Sequence, residues 1–203
     1  MSLPALPGGP SCGLRERKKA RTRRDIRRAA YRLFAANGYD ATDVDRIAAE
    51  AEVSRSTFFR YFPTKEDVVL TDEYNTLMAE GLAARPAGEP VMEAVRQVAV
   101  TALGALLAAD REELLFRMHL IATVPAVRAR AMDEQFATQD AICALIARRG
   151  GRDPRDLDVR CAAAAVVAVS STIVQHWVEE GGTADLAALY DRHLGQLAGG
   201  LRI

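Results

Sequence analysis

Residues 52–67 read EVSRSTFFRYFPTKED, and four of the chain's twelve aromatic side chains fall within them: Phe58, Phe59, Tyr61 and Phe62. Serine, threonine and arginine are interleaved, so the stretch reads as a base-stacking platform, a piece of hydrophobic core, or one helix with two faces. Turning residues 54–62 by 100° per residue separates these readings. Phe58 and Phe62 share a face with Tyr61 at its flank, whereas Ser56 and Arg60 point the opposite way, flanked by Thr57 and Phe59. A single-strand platform wants exposed aromatics on a sheet or barrel, and no strand pattern exists here to carry one. The stretch is therefore predicted to be a two-faced helix, capped by Ser54 and ended at Pro63.

Upstream, Ile26, Ala29, Ala30, Leu33 and Phe34 recur with helical period and stop at Asn37-Gly38, a common helix end. Thr42 is placed to cap a short second helix carrying Val44, Ile47, Ala48 and Ala51. Two short helices across a tight turn, apolar residues inward and small polar residues and arginine outward, make the layout of a helix-turn-helix. A major groove about 12 Å wide admits one helix, whose outward residues must hydrogen-bond base edges and phosphates. Arg55, Ser56, Thr57 and Arg60 suit that task. A plain charged surface helix with a buried aromatic side would show the same pattern. The first helix shifts the balance: ten Lys/Arg, Arg24 and Arg28 among them, crowd into residues 15–32 against only Glu16 and Asp25. Such density fits phosphate contacts or an arm reaching a groove.

The net charge of zero conceals an asymmetry. Residues 1–66 hold 14 Lys/Arg against 8 Asp/Glu, a net +6, so the totals of 27 and 27 leave residues 67–203 at 13 against 19, a net −6. A basic front and an acidic back suggest that the front meets a polyanion. The 49% apolar and 27% charged composition is that of a soluble globular protein. The N-terminal MSLPALPGGPSCG lacks a basic leader and apolar run and reads as a flexible lead-in over residues 1–14. Cys12, Cys143 and Cys161 are far apart, without CxxC or histidine pairs, which argues against disulfides and against a metal site and suits a reducing cytoplasm. No run approaches the roughly 18 uninterrupted apolar residues of a membrane span, and Ala162–Val169 reads as buried helix. His119, His176 and His193 accompany no nucleophile motif, HExxH, P-loop or dinucleotide fingerprint, so neither an enzyme nor a bound cofactor is expected.

Thr64-Lys65-Glu66-Asp67 offers a capping-box-like start for a fourth helix running to about Leu82, and the linker ARPAGEP at 84–90 reads as the clearest boundary in the chain. Further helices are expected near 91–109, 111–123, 125–148, 154–180 and 184–198, with Pro90, Pro125 and Pro154 in first turns.

AAYRLFAANGYD (29–40) followed by ATDVDRIAAEAEVSRSTFFRYFPTKEDVVL (41–70) closely resembles the DNA-binding domain of TetR-family transcriptional regulators. The resemblance covers about residues 20–70. It implies an all-α fold in which an N-terminal three-helix helix-turn-helix domain (15–63) precedes a C-terminal helical bundle (64–203) that binds a ligand and dimerises. Its partners would be a double-stranded DNA operator, a small-molecule effector and a second copy of the chain, with repression as the expected outcome. Carried over by position, Thr42 and Lys65 look like phosphate contacts at helix starts, and Arg55, Ser56 and Thr57 like base-reading positions. Arg60 and Tyr61 would lie beside the backbone. Two positions depart from the pattern: Glu52 stands where the family usually has glycine, and Phe59 where it usually has tyrosine. They are the best support for the competing class, a helical ligand-binding or scaffold protein that has lost DNA binding.

In the C-terminal two thirds, VRCAAAAVVAVSSTIVQHWVEE and ADLAALYDRHLGQLAGGL carry small apolar residues that allow close helix approach. The resemblance implies that they pair with symmetry mates in a four-helix interface; intrachain core is the other reading. Phe116, His119, Met132, Phe136, Gln139, Cys143 and Trp177 are candidates to line an effector pocket, and each also fits ordinary helix packing. A faint likeness to actinobacterial regulators that sense acyl-type ligands does not name one.

Overall fold

The computed structural model describes residues 14–70 and 73–200, so the lead-in expected over 1–14 lies, but for Leu14, outside the described residues, as does Cys12. The described chain is helical throughout and divides into two compact units between Val68 and Val69.

The first unit contains α1 (Leu14–Asn37), α2 (Val44–Glu50), α3 (Arg55–Tyr61) and a 3-10 turn (Glu66–Val68). At seven residues each, α2 and α3 are too short to persist alone, so packing must hold them. Ile26, Ala29, Ala30 and Phe34 of α1 face Ile47 and Ala48 of α2 and Phe58 of α3, with Tyr39, Phe62 and Val68 closing the core. Phe34 and Tyr39 lie 4.8 Å apart and Phe58 and Phe62 5.9 Å apart, tilted as aromatic pairs prefer.

Three local expectations are corrected. Asp43, not Thr42, caps α2, accepting the Arg46 N–H at 2.8 Å; Thr42 is turned into the core instead. The Thr64 hydroxyl accepts from the Asp67 N–H and the Asp67 carboxylate from the Thr64 N–H, at 3.2 and 2.9 Å. This reciprocal box closes on a single 3-10 turn, and α4 begins only at Glu73. The turn stays with the first unit because the Val68 side chain is buried and its carbonyl receives the Tyr31 hydroxyl at 3.5 Å. Finally, Asp153-Pro154 does not open a helix. Asp153 accepts from the Arg155 and Asp156 N–H groups, and this turn delays α7 to Leu157.

The second unit is a bundle of α4 (Glu73–Ala84), α5 (Val91–Thr123), α6 (Pro125–Gly150), α7 (Leu157–Glu179) and α8 (Leu186–Ala198). Helix α5 is central, packing against all four others. The break expected at residue 110 exists: Asp110 leaves helical geometry at φ −163° and ψ 96°, and its carboxylate accepts the Glu113 N–H at 2.8 Å to restart the helix. Leu82, Val95, Val98, Leu103, Leu114, Val166, Ile173, Trp177, Leu186, Tyr190 and Leu194 form the main core, with a smaller cluster around Cys143, Ile146 and Val159. Gly81 lets α4 and α5 meet, since a Cβ there would lie 2.5 Å from Val98. ARPAGEP is a connection inside this unit rather than a boundary. The buried Arg149 guanidinium gathers the carbonyls of Leu82, Arg85, Pro86 and Glu89 and fixes the loop.

Helices α5 and α7 each contain an 18-residue window of mean hydropathy 1.5 and 1.7, enough by length and composition to cross a membrane. That exceeds the sequence expectation because scattered polar residues do not lower a window average to the threshold. In the bundle both helices contribute to the main core, with 33% and 28% of the two windows buried.

Candidate nucleic-acid interface

The polar face of α3 is organised from its first turn. The Ser54 hydroxyl accepts the Thr57 N–H at 3.1 Å, capping the helix, and contacts the hydroxyls of Ser56 and Thr57, each at 2.9 Å. Phe58 and Phe62 are fully buried, as the helical projection requires, and anchor the helix so that Arg55, Ser56 and Arg60 stand exposed and Thr57 half-buried. Phe59 is 40% exposed, and Tyr61 lies half-buried under the Arg60 guanidinium, 5.4 Å from its ring centroid. The Arg55 guanidinium extends from α3 to α2, where Nη1 donates to the Asp45 carboxylate at 2.9 Å, and lies 5.6 Å from the Phe59 ring centroid.

The turn between α2 and α3 bears on the glutamate that departs from the family pattern. The Glu52 N–H donates to the Ala49 carbonyl and the Val53 N–H to the Ala48 carbonyl, at 3.1 and 2.9 Å, the paired bonds of a Schellman helix end. The motif needs a left-handed residue where Glu52 sits, and Glu52 adopts φ +53°, the sole non-glycine positive φ among the described residues. A side chain there costs about 1 kcal/mol. Helix α7 ends in the same motif with Gly181, φ +66°, which avoids that cost.

Of the basic helix, Arg24 and Arg28 are exposed. Arg28 borders a polar surface cup of about 330 Å³ with Arg21, Asp25, Arg32, Glu50 and Glu52. Arg32 pairs with Glu50 across this cup at 2.8 Å. Arg27 is instead buried, and Arg23 lies over the Phe62 ring. The inward position of Arg27 was readable from its spacing, since 27, 30, 31 and 34 fall on one helical face.

Thr42 and Lys65 are placed differently from the outward contacts expected of them. Thr42 is 0% exposed, and its hydroxyl donates to the carbonyls of Gly38 and Leu33, at 2.8 and 3.3 Å. The Lys65 ammonium is half-buried, donates to the carbonyls of Tyr39 and Thr42 at 3.0 Å each, and sits 4.0 Å from the Tyr39 ring centroid. Two of its three hydrogens thus tie the 3-10 turn to the α1–α2 loop. Burial, followed by the hydrogen bond to Glu66, pushes the Tyr39 phenol well above its ordinary range, so it stays a neutral donor.

In the second unit, Met132, Phe136 and Gln139 line one open groove of about 260 Å³ with Gln135, Ala164, Val167 and Ala168, between α6 and α7. The other four candidates do not join them there. Phe116 is half-buried on α5, His119 is exposed, and Cys143 lies in the smaller core. Trp177 is fully buried in the main core and donates its Nε1–H to the Ala184 carbonyl at 2.9 Å. Arg111 stacks 5.8 Å from the Trp177 ring and donates to the carbonyls of Gly182 and Ala184, which gives that corner a structural role.

Residues 26–71 match the family model of bacterial regulatory proteins of the tetR family, and residues 71–202 match the model of the MftR C-terminal domain. The HTH-type transcriptional regulator TcmR of Streptomyces glaucescens is 33% identical, over 93% of this chain and 85% of that protein. Among solved structures, FadR of Thermus thermophilus, a TetR-family repressor in complex with lauroyl-CoA, is similar at 27% identity and a TM-score of 0.60, over 89% of this chain and 95% of that one. FadR of Bacillus subtilis, in complex with stearoyl-CoA, shares the fold at 24% identity and a TM-score of 0.61, over 87% and 98%. Together with the helix-turn-helix geometry of α2 and α3, these matches place the chain in the TetR family of DNA-binding transcriptional regulators.

Proposed function

We propose that this regulator is a homodimeric cytoplasmic repressor that holds an operator through the outward face of α3 and releases it when a small molecule occupies the second unit. The observation that carries the reading is the division of α3 into a buried Phe58/Phe62 anchor and an exposed polar edge. Arg55, Ser56 and Thr57 contact base edges, Arg60 and Tyr61 the adjoining backbone, and Arg24 and Arg28 phosphates. Thr42 and Lys65 support this contact by fixing the loop before α2. Glu52 closes the turn that a glycine would close, so the departure from the pattern is compatible with DNA binding. Dimerisation through α7 and α8 would set two α3 helices about one helical turn, roughly 34–36 Å, apart.

For the effector, an acyl-CoA is the class to examine first. Support comes from the T. thermophilus FadR likeness and from the apolar groove, where Met132 and Phe136 stand 58% and 70% exposed and could cover an acyl chain. Occupation of the bundle would shift α4, which follows the DNA-binding unit in sequence, and so change the spacing of the two α3 helices. A ligand favouring the misaligned state by ~3 kcal/mol would lower operator affinity over a hundredfold.

Fluorescence anisotropy on duplexes from upstream of the protein's own coding region tests both parts. Selective, salt-sensitive binding that lauroyl- or stearoyl-CoA reverses is expected. Failure to bind any duplex at low salt would overturn the DNA-binding assignment, and binding indifferent to either acyl-CoA would overturn the effector class.

A further inference from the structure

The ion pair between Arg55 and Asp45 joins the two helices of the reading motif at its outward edge. Both side chains are strongly exposed, 64% and 63%, so the pair does little to hold α2 against α3, a task met by Ile47, Ala48 and Phe58 in the core. A carboxylate also repels DNA phosphates, so Asp45 weakens any general attraction to a duplex. Its position at 2.9 Å from Arg55 Nη1 suggests a compensating use.

The geometry points to Asp45 as a positioning residue that, together with the Phe59 ring, orients Arg55 for guanine. The carboxylate engages one arm of the guanidinium, and the Phe59 ring lies 5.6 Å from its centre. The remaining Nε–Nη2 edge carries two parallel N–H groups, the fork that matches the O6 and N7 acceptors of guanine in the major groove. Lysine cannot present that fork, and an untethered arginine must lose side-chain entropy to present it on binding. Phe59 is therefore more than a tyrosine lacking its hydroxyl: its exposed ring is part of the seat for Arg55.

This inference rests on the reading of Arg55 as a base contact, and its test separates the two. The full-length protein and its Asp45→Asn, Phe59→Ala and Arg55→Ala variants select from a pool of randomised duplexes, and base preferences are read at every position of the bound half-site. Arg55→Ala is expected to erase a guanine preference at one position, and Asp45→Asn to reduce that same preference roughly three- to fivefold. Asp45→Asn should meanwhile raise affinity for a scrambled duplex about twofold, because a like charge is removed from beside the phosphates. Phe59→Ala should weaken the same guanine preference to a smaller degree. If Arg55→Ala erases the preference and Asp45→Asn keeps it intact, the positioning role is overturned while the base-contact reading stands. Equal weakening of selected and scrambled duplexes by Asp45→Asn, the signature of a merely structural residue, overturns it too. If Arg55→Ala leaves every position unchanged, the base-contact reading itself fails and carries this inference with it.

Discussion

The two units use the same element to opposite ends. In the first, seven-residue helices lie on a small core, and their starts and connecting loop are fixed by a few specific polar contacts: Ser54 on Thr57, Asp43 on Arg46, Lys65 on two loop carbonyls. In the second, unbroken helices of up to 26 residues are held mainly by shape, through small and aliphatic side chains packed around α5. Chemistry that depends on individual residues tolerates little substitution; packing by shape admits many sequences of similar volume. The contrast suggests how a regulator can keep one DNA-reading surface while its second unit varies.

The largest effect that would sharpen this contrast is expected at Trp177. Replacing this fully buried side chain by alanine removes core contacts and leaves the Ala184 carbonyl to the Arg111 guanidinium as its remaining donor. Thermal melting should show a loss of about 3–5 kcal/mol. A loss under 1 kcal/mol would mean that the corner made with Arg111 and Gly182 repacks freely.

Next in size is Lys65→Ala. Because the ammonium satisfies two loop carbonyls, the variant should lose about 2 kcal/mol of stability in the absence of DNA. Unchanged stability with a salt-dependence slope reduced by about one charge would restore Lys65 to a pure phosphate contact.

A smaller change of opposite sign is expected at Glu52. Glycine relieves the left-handed backbone at φ +53° but enlarges the freedom of the unfolded chain, for a net gain of at most about 0.5 kcal/mol. Calorimetry of Glu52→Gly showing destabilisation would mean that this side chain makes a contact worth more than the backbone cost.

The smallest effect concerns pH and the bundle alone. Hydrogen bonds from Arg96, then from Gln97, hold the Glu93 carboxyl down from an ordinary 4.5 to about 2. A group whose pKa is lower folded than unfolded stabilises the fold above the unfolded value, and that contribution disappears as pH falls from about 4.5 through about 2. Glu93→Gln should flatten this part of the acid-denaturation profile. Superimposable profiles for the two proteins would contradict the assignment.

Legibility in the sequence follows the same division. The two-faced helix 54–62 was readable because Phe58, Phe62, Ser56 and Arg60 separate by angle alone, and the break at Asp110 because a charged run interrupts an apolar one. The roles of Thr42 and Lys65 were not, because a hydroxyl or ammonium near a helix start can turn inward to backbone carbonyls as readily as outward to phosphate. Nor was the Asp45–Arg55 pair, which forms only once α2 and α3 cross. In the second unit, composition announced helices and core, but Met132, Phe136 and Gln139 could not be told from Cys143 and Trp177. All five suit a pocket lining equally, and only the packed bundle decides which face the groove.

The central claim is that the exposed edge of α3 carries recognition while its buried face carries only stability. Anisotropy titration of the Arg55→Ala/Arg60→Ala double variant, on a duplex the native protein selects and on a scrambled one, tests it directly. The account predicts that affinity for the selected duplex falls to the level of the scrambled one, with the melting temperature within about 2 °C of the native protein's because both side chains are exposed. A double variant that kept native affinity and sequence preference would contradict it.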